Sequence, residues 1–119
     1  MSEDEVDDQA VFEVLADPDC REILAAVEEP LPAKDIAAIC DLPQTSTYRK
    51  LQQLSGAGLV AEETEVRTDG HHATMYVRNT TGIFVPLQGE SAFDVERLHP
   101  RKSADERLAL LWSRIREEL

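Results

Sequence analysis

The sequence predicts an α+β fold, mainly α, and three observations carry that prediction. Apolar residues recur at helical spacing from Val11 to Leu54, the period turns to strand-like alternation beyond Gly58, and a last helical stripe occupies 103–119. With 119 residues, 42% of them hydrophobic, the chain has material for one modest core and not for two ordinary domains. Aromatics are only 5%, so the core is expected to be Leu, Ile, Val and Ala.

Residues 1–9 form an acidic tail, after which Val11, Phe12, Val14 and Leu15 give a first short helix. "DPD" interrupts it. Asp17 is a good N-cap, and Pro18 suits the first helical position because its missing N–H would have no partner there. Cys20, Ile23, Leu24 and Val27 then fall at i, i+3, i+4 and i+7, the buried stripe of a second helix that Pro30 and Pro32 end. A third helix is expected from Ala33 to Cys40, with Ile36, Ile39 and Cys40 inward. "DLP" at 41–43 makes a tight corner. A fourth helix runs from Gln44 to Ala57 and is stopped by Gly56 and Gly58, where positive φ is cheap.

"LVAEETEVR" and "ATMYVRN" alternate as two strands around "TDGHH", whose Asp69-Gly70 is a hairpin signal. "GIFVPLQ" and "AFDVERL" suggest a second, weaker pair around "GES", with Pro86 marking an edge. After "HPRK", Ser103 caps a last helix with Leu108, Leu111, Trp112, Ile115 and Leu119 on one stripe. Helices first, a short corner between the third and fourth, then a β-hairpin: this is the order of a winged helix-turn-helix. The expected organisation is a tail (1–9), the winged helix-turn-helix (10–82), a second β-hairpin and linker (83–102) and a C-terminal dimerisation helix (103–119).

The fourth helix carries the chemistry. With Leu51 and Leu54 inward and Thr47 beside them, Thr45, Arg49, Gln52 and Gln53 point away, and Gln44 and Tyr48 sit at the N-terminal edge of that surface. Arg pairs bidentately with guanine and Gln with adenine, while Ser or Thr serves base or phosphate. No acidic residue occurs from Leu42 to Ala61, although the chain has a net charge of −12. A carboxylate here would face phosphate and repel it. An amphipathic helix with an ordinary solvated face would show the same pattern by itself; the corner before it and the hairpin after it favour DNA.

"FEVLADPDCREILAAV" and "PAKDIAAICDLPQTSTYRKLQQLSGAGLV" together resemble the opening and the helix-turn-helix of ArsR-like winged-helix regulators, and "TDGHHATMYVRN" looks like the wing of haloarchaeal members. The resemblance covers about residues 10–79 and implies a homodimeric transcriptional regulator bound to double-stranded DNA. Carried over by position, Gln44, Thr45, Tyr48 and Arg49 are the base-reading residues and Lys50 meets a backbone phosphate; Ser46 lies among them. The metal-sensing branch is not matched: the helices before the turn hold no Cys-x-Cys, and the last helix has neither His nor thiol.

His71 and His72 at the wing tip, with Arg67 beside them, are expected to touch DNA. Adjacent strand residues face opposite ways and hold one metal ion poorly. Cys20 and Cys40 are 20 positions apart, in no metal-ligand spacing, and read as small buried hydrophobes; a redox-responsive regulator using them is an alternative. Leu108, Leu111, Trp112 and Ile115 are expected at the homodimer interface. No Ser-His-Asp set, glycine-rich phosphate loop or metal triad suggests an enzyme, and no cofactor is expected.

Residues 1–29 hold 11 acids and one base, a charge of −10, whereas 30–119 hold 13 acids and 11 bases, a charge of −2. Nine arginines to three lysines, with many carboxylates, suit a salt-rich cytoplasm and hint at a halophilic archaeon; a solvated acidic face on a mesophile's protein fits as well. The acidic N-terminus lacks a signal-peptide pattern and no apolar run reaches the roughly 20 residues of a membrane span, so a cytoplasmic protein is expected. The acidic first quarter also keeps a second class open, a winged helix that binds proteins rather than DNA. An unidentified small-molecule or redox signal stays open too.

Overall fold

Carboxylates start the first two helices. In the computed structural model, which describes residues 7–99, Trp112, Ile115 and Arg116, Asp7 Oδ1 accepts from the Gln9 N–H at 2.9 Å and opens α1 (Asp8–Ala16). Asp17 repeats the device: its Oδ1 accepts from the Asp19 N–H at 3.0 Å and Pro18 leads α2 (Pro18–Ala26). Each cap satisfies an N–H that the first helical turn leaves without a partner. Helix therefore begins at Asp8, inside the stretch expected to be tail. Val11 and Val14 of α1 and Cys20, Ile23 and Val27 of the second stripe are buried, and Leu24 is half-buried.

Leu31 and Pro32 form a short strand, β1 (Leu31–Pro32), which the sequence did not suggest. Leu31 stands opposite Tyr76 and Pro32 opposite Met75. Pro32 has no N–H to contribute, which an edge strand tolerates. Next comes α3 (Ala33–Cys40), whose buried residues are Ala33, Ile36, Ala37 and Cys40. Ile39 was expected inward and is instead 62% exposed. At 100° per residue it lies roughly 110° from the centre of the buried stripe, which two alanines complete.

The corner follows from one backbone choice. Asp41 takes φ 54°, its N–H reaches the Ala38 carbonyl at 3.4 Å, and the Leu42 N–H reaches the Ala37 carbonyl at 2.9 Å. This paired closure satisfies the last carbonyls of α3 and turns the chain sharply. The next helix, α4 (Gln44–Gly56), ends the same way, with Gly58 N–H on Ser55 O at 3.0 Å and Leu59 N–H on Leu54 O at 3.1 Å. Gly58 has φ 78°, as expected, while Gly56 is simply the last helical residue and not a positive-φ stop. Thr47, Leu51 and Leu54 are completely buried, and the Thr47 hydroxyl donates to the Pro43 carbonyl at 2.9 Å.

Two strands complete the wing, β2 (Val60–Val66) and β3 (His72–Arg78), paired antiparallel from Val60 opposite Arg78 to Val66 opposite His72. Arg67 N–H bonds the His71 carbonyl and Gly70 N–H the Arg67 carbonyl, each at 3.1 Å, with Gly70 at φ 85°. The sheet order is β1-β3-β2. Arg78 ties this sheet to α2: its N–H reaches Val27 O at 2.8 Å, Nη1 reaches Leu24 O at 2.9 Å, and Nη2 lies 3.6 Å from Glu28.

The chain divides into two compact units between Asn79 and Thr80. In the second, β4 (Gly82–Phe84) pairs antiparallel with β5 (Glu96–Leu98), Ile83 opposite Arg97. The expected strands were longer. Residues 85–95 instead make tight turns, with Phe93 N–H on the Pro86 carbonyl at 2.7 Å, Gly89 at φ 90° and Phe93 at φ 65°. Pro86 cannot extend a ladder that needs its N–H. Leu108 and Leu111 lie outside the described residues, as does most of 103–119; Trp112, Ile115 and Arg116 are helical, Trp112 being 60% exposed and Ile115 half-buried. Among the described residues no helix is long and apolar enough to cross a membrane.

The two isoleucines of α3 make a direct test of this packing. Ile36→Ala should lower unfolding free energy by about 2–5 kcal/mol in urea denaturation, the usual cost of emptying a core site. Ile39→Ala should change it by less than about 0.5 kcal/mol.

Candidate nucleic-acid interface

What α4 presents outward is decided by what it buries. With Thr47, Leu51 and Leu54 inside, Gln44, Thr45, Arg49, Gln52 and Gln53 are exposed, Tyr48 is 51% exposed and Ser46 is half-buried. The residues expected to read bases thus share one accessible side, with no acid within 42–61.

Beside this helix runs a groove of about 450 Å³, lined by Pro32, Ala33, Lys34, Gln44, Tyr48, Arg67, His72, Ala73 and Thr74. It brings Gln44 and Tyr48 of α4 together with Arg67 and His72 of the wing. Lys34 and Thr74 complete it, and neither was singled out from the sequence. Lys34 joins because β1 pairs with β3 and draws the first turn of α3 against the wing; no short-range signal announces that pairing. Two fixed cations and several neutral donors line the groove, and among the described residues no carboxylate does.

The wing nevertheless carries three acids on β2, and strand register decides where they go. Glu62 pairs with Tyr76, Thr64 with Thr74 and Val66 with His72, so these side chains share one face. Glu63 and Glu65 pair with Met75 and Ala73 and lie on the other face, away from His72 and Thr74. A one-residue slip would exchange the sets. Glu62 is engaged: its Oε1 accepts from Gln52 Nε2 at 3.5 Å. Burial raises the pKa of Tyr76 opposite it, and the Glu62 charge adds to that rise.

At the wing tip the adjacent histidines part company. His72 lines the groove, whereas the exposed His71 turns to Asp69, with Nδ1 at 3.4 Å from Oδ2 and the His71 N–H on Oδ1 at 3.0 Å. The backbone bond from His71 holds the Asp69 carboxyl below its ordinary pKa. Among the described residues no group of three His, Cys, Asp or Glu could hold a metal ion.

Lys50, expected at a phosphate, faces the protein. Its Nζ donates to Asp17 Oδ2 at 2.6 Å and lies 3.9 Å from Asp19, with the lysine side chain 20% exposed. This bond holds the Asp17 carboxyl below its usual pKa and raises the Lys50 ammonium. A second groove, of about 440 Å³, lies on the flank of α4 lined by Glu13, Asp17, Gln53 and Gly56 together with Ala10 and Val14 of α1. One groove beside α4 is therefore cationic and the other acidic.

Both cysteines are free and buried. Burial pushes the Cys20 thiol up to about 11, and the Asp17 charge beside it adds to that rise. Burial likewise raises Cys40, helped by Glu22 and Asp19. A redox-sensing thiol needs the opposite on both counts, exposure and a low pKa.

Residues 15–63, from the end of α1 into β2, match the model of a helix-turn-helix domain family. A solved structure described as a possible transcriptional regulator from Methanosarcina mazei Go1 is similar, with a TM-score of 0.49 and 10% sequence identity over 61% of this chain and 65% of that one. The match spans less than two thirds of that archaeal protein's length. No curated protein matches the sequence.

Two outcomes follow for the thiols. Ellman's reagent should label neither cysteine of the native protein within minutes at pH 8 and both in guanidinium. Because Cys20 titrates near 11 when folded and near 9.0 otherwise, its contribution to stability is complete below pH 9 and is lost as pH rises through 11. Urea midpoints should fall over that range, less steeply in Cys20→Ala.

Proposed function

We propose that the chain is a sequence-specific DNA-binding transcriptional regulator that acts as a homodimer, with α4 in the major groove and the 68–72 wing on the backbone. The groove between α4 and the wing, with no carboxylate among its described lining residues, carries this reading, and the helix-turn-helix match over 15–63 supports it. Gln44, Thr45, Tyr48 and Arg49 read base edges, with Ser46 alongside. Arg67, His71 and His72 follow the backbone from the wing, and Lys34 is added to them as a phosphate contact from the first turn of α3. The chain is of the ArsR-like kind and of haloarchaeal type, on the strength of its motifs and its acidic, arginine-rich composition.

Dimerisation is assigned to the last helix through Leu108, Leu111, Trp112 and Ile115. Trp112, 60% exposed, is the observation that motivates it. A two-fold pair would set two recognition helices roughly 34–36 Å apart, one turn of DNA. The second reading, a winged helix that binds a basic protein, is favoured by the −10 charge of residues 1–29. Pull-down of genomic fragments separates the two: no DNA enrichment at the host's working salt would sink the first.

Arg49→Ala should weaken cognate binding by about 1–3 kcal/mol and leave random DNA nearly unchanged. Lys34→Ala and Arg67→Ala should weaken both alike and lower the salt slope by about 1. Equal loss on both DNAs for Arg49→Ala would make it a phosphate contact. Light scattering at micromolar concentration should show a dimer that Trp112→Ala converts to a monomer; a wild-type monomer would remove the dimer.

A further inference from the structure

We infer that Asp17 is a specificity-determining residue: by holding Lys50, it withholds a cation on the recognition helix from DNA phosphate and keeps affinity for random sequence low. This rests on the DNA-binding reading above and concerns the other flank of the same helix.

Lys50 follows Arg49 in sequence, roughly 100° further round α4, at the margin of the outward surface. Its stem is long enough to carry the ammonium either outward or toward α2. The structure takes the second course, with Nζ 2.6 Å from Asp17 Oδ2 and 3.9 Å from Asp19. Asp17 is held in turn. Its Oδ1 accepts from the Asp19 N–H at 3.0 Å as the cap of α2, and its Oδ2 also accepts from the Cys20 thiol at 3.5 Å. The carboxylate is thus tied into the start of α2 and cannot follow the lysine outward without uncapping that helix. The lysine, by contrast, is anchored at its charged end, among the described residues, by acids alone.

The consequence is a division between two kinds of cation. Arg49, exposed and free of any ion pair among the described residues, is left for base edges, where a bidentate guanidinium discriminates. An ammonium at its side would add affinity for any sequence, because phosphate contact carries no sequence information. Asp17 removes that contribution by drawing the ammonium toward α2.

Substitutions at Asp17 separate the charge from the cap. Asp17→Asn keeps a side-chain oxygen for the Asp19 N–H, since asparagine caps as well as aspartate. Asp17→Ser also caps and is too short to reach Lys50. Binding of the full-length protein to a fluorescent random-sequence 30-bp duplex is measured against KCl, with Asp19→Asn as a control of equal charge change. Both Asp17 variants should bind tighter at low salt than wild type and steepen the salt slope by about 0.9, one added phosphate contact. Asp19→Asn and Lys50→Met should leave the slope unchanged, and Asp17→Asn/Lys50→Met should restore it.

A flatter slope for Lys50→Met alone would overturn the proposal, because Lys50 would already be on phosphate. So would tighter binding that persists in the double variant, or an equal gain from Asp19→Asn, since each makes general charge the cause. If wild type and every variant fail to bind any DNA, the DNA-binding reading itself falls and takes this inference with it. Circular-dichroism melts confirm that each variant is folded.

Discussion

Burial of Thr47, Leu51 and Leu54 is the constraint on which the rest depends. Three residues inside α4 leave its remaining side chains nowhere to go but outward or to the two flanks. Thr47 is the least expected of them, a hydroxyl in a dry position. Its donation to the Pro43 carbonyl satisfies it within its own first turn, so the cost of burying an unpaired polar group never arises. The paired backbone closures at Asp41 and Gly58 then bound the helix and set its direction. Rotation of α4 about its axis and its angle to α3 are thereby fixed by apolar contact and backbone geometry, not by the polar residues on display.

The order of elements was legible because it is written in short-range patterns. Asp17-Pro18 announces a helix start, and Asp69-Gly70 announces the hairpin turn. The helical spacing of Cys20, Ile23 and Val27 announces a buried stripe. What escaped was long-range. β1 is two residues that become a strand only because Tyr76 and Met75 offer them partners. Ile39 looked inward on hydrophobicity, yet alanines at 33 and 37 filled the stripe better. The second hairpin is shorter than its alternation suggests, because the alternation persists where Pro86 has already ended the pairing.

The candidate site divides along the same line. Gln44, Thr45, Tyr48 and Arg49 could be placed on one exposed side from helical periodicity alone. Lys34 and Thr74 could not, since they reach the groove through strand pairing across more than 40 positions. The fate of Lys50 was equally hidden, because its partner Asp17 lies 33 residues away. The acids of β2 show the principle most clearly. In the sequence they look like an anionic strand, and only register separates Glu62, which shares a face with His72, from Glu63 and Glu65, which do not.

The sheet order has a further consequence, for solubility. With β3 in the centre and β1 covering part of one side, β2 is left as a seven-residue outer edge with backbone donors and acceptors turned to solvent. Such an edge is a template for another chain's strand, and natural proteins commonly blunt it with charge. Here Glu62, Glu63 and Glu65 set carboxylates along that edge on both faces. Two antiparallel copies approaching edge to edge would bring like charges together at the spacing of adjacent strands, roughly 4.8 Å. Glu63 and Glu65, which register turns away from His72 and Thr74, thus join Glu62 in guarding the wing against fibre-like stacking.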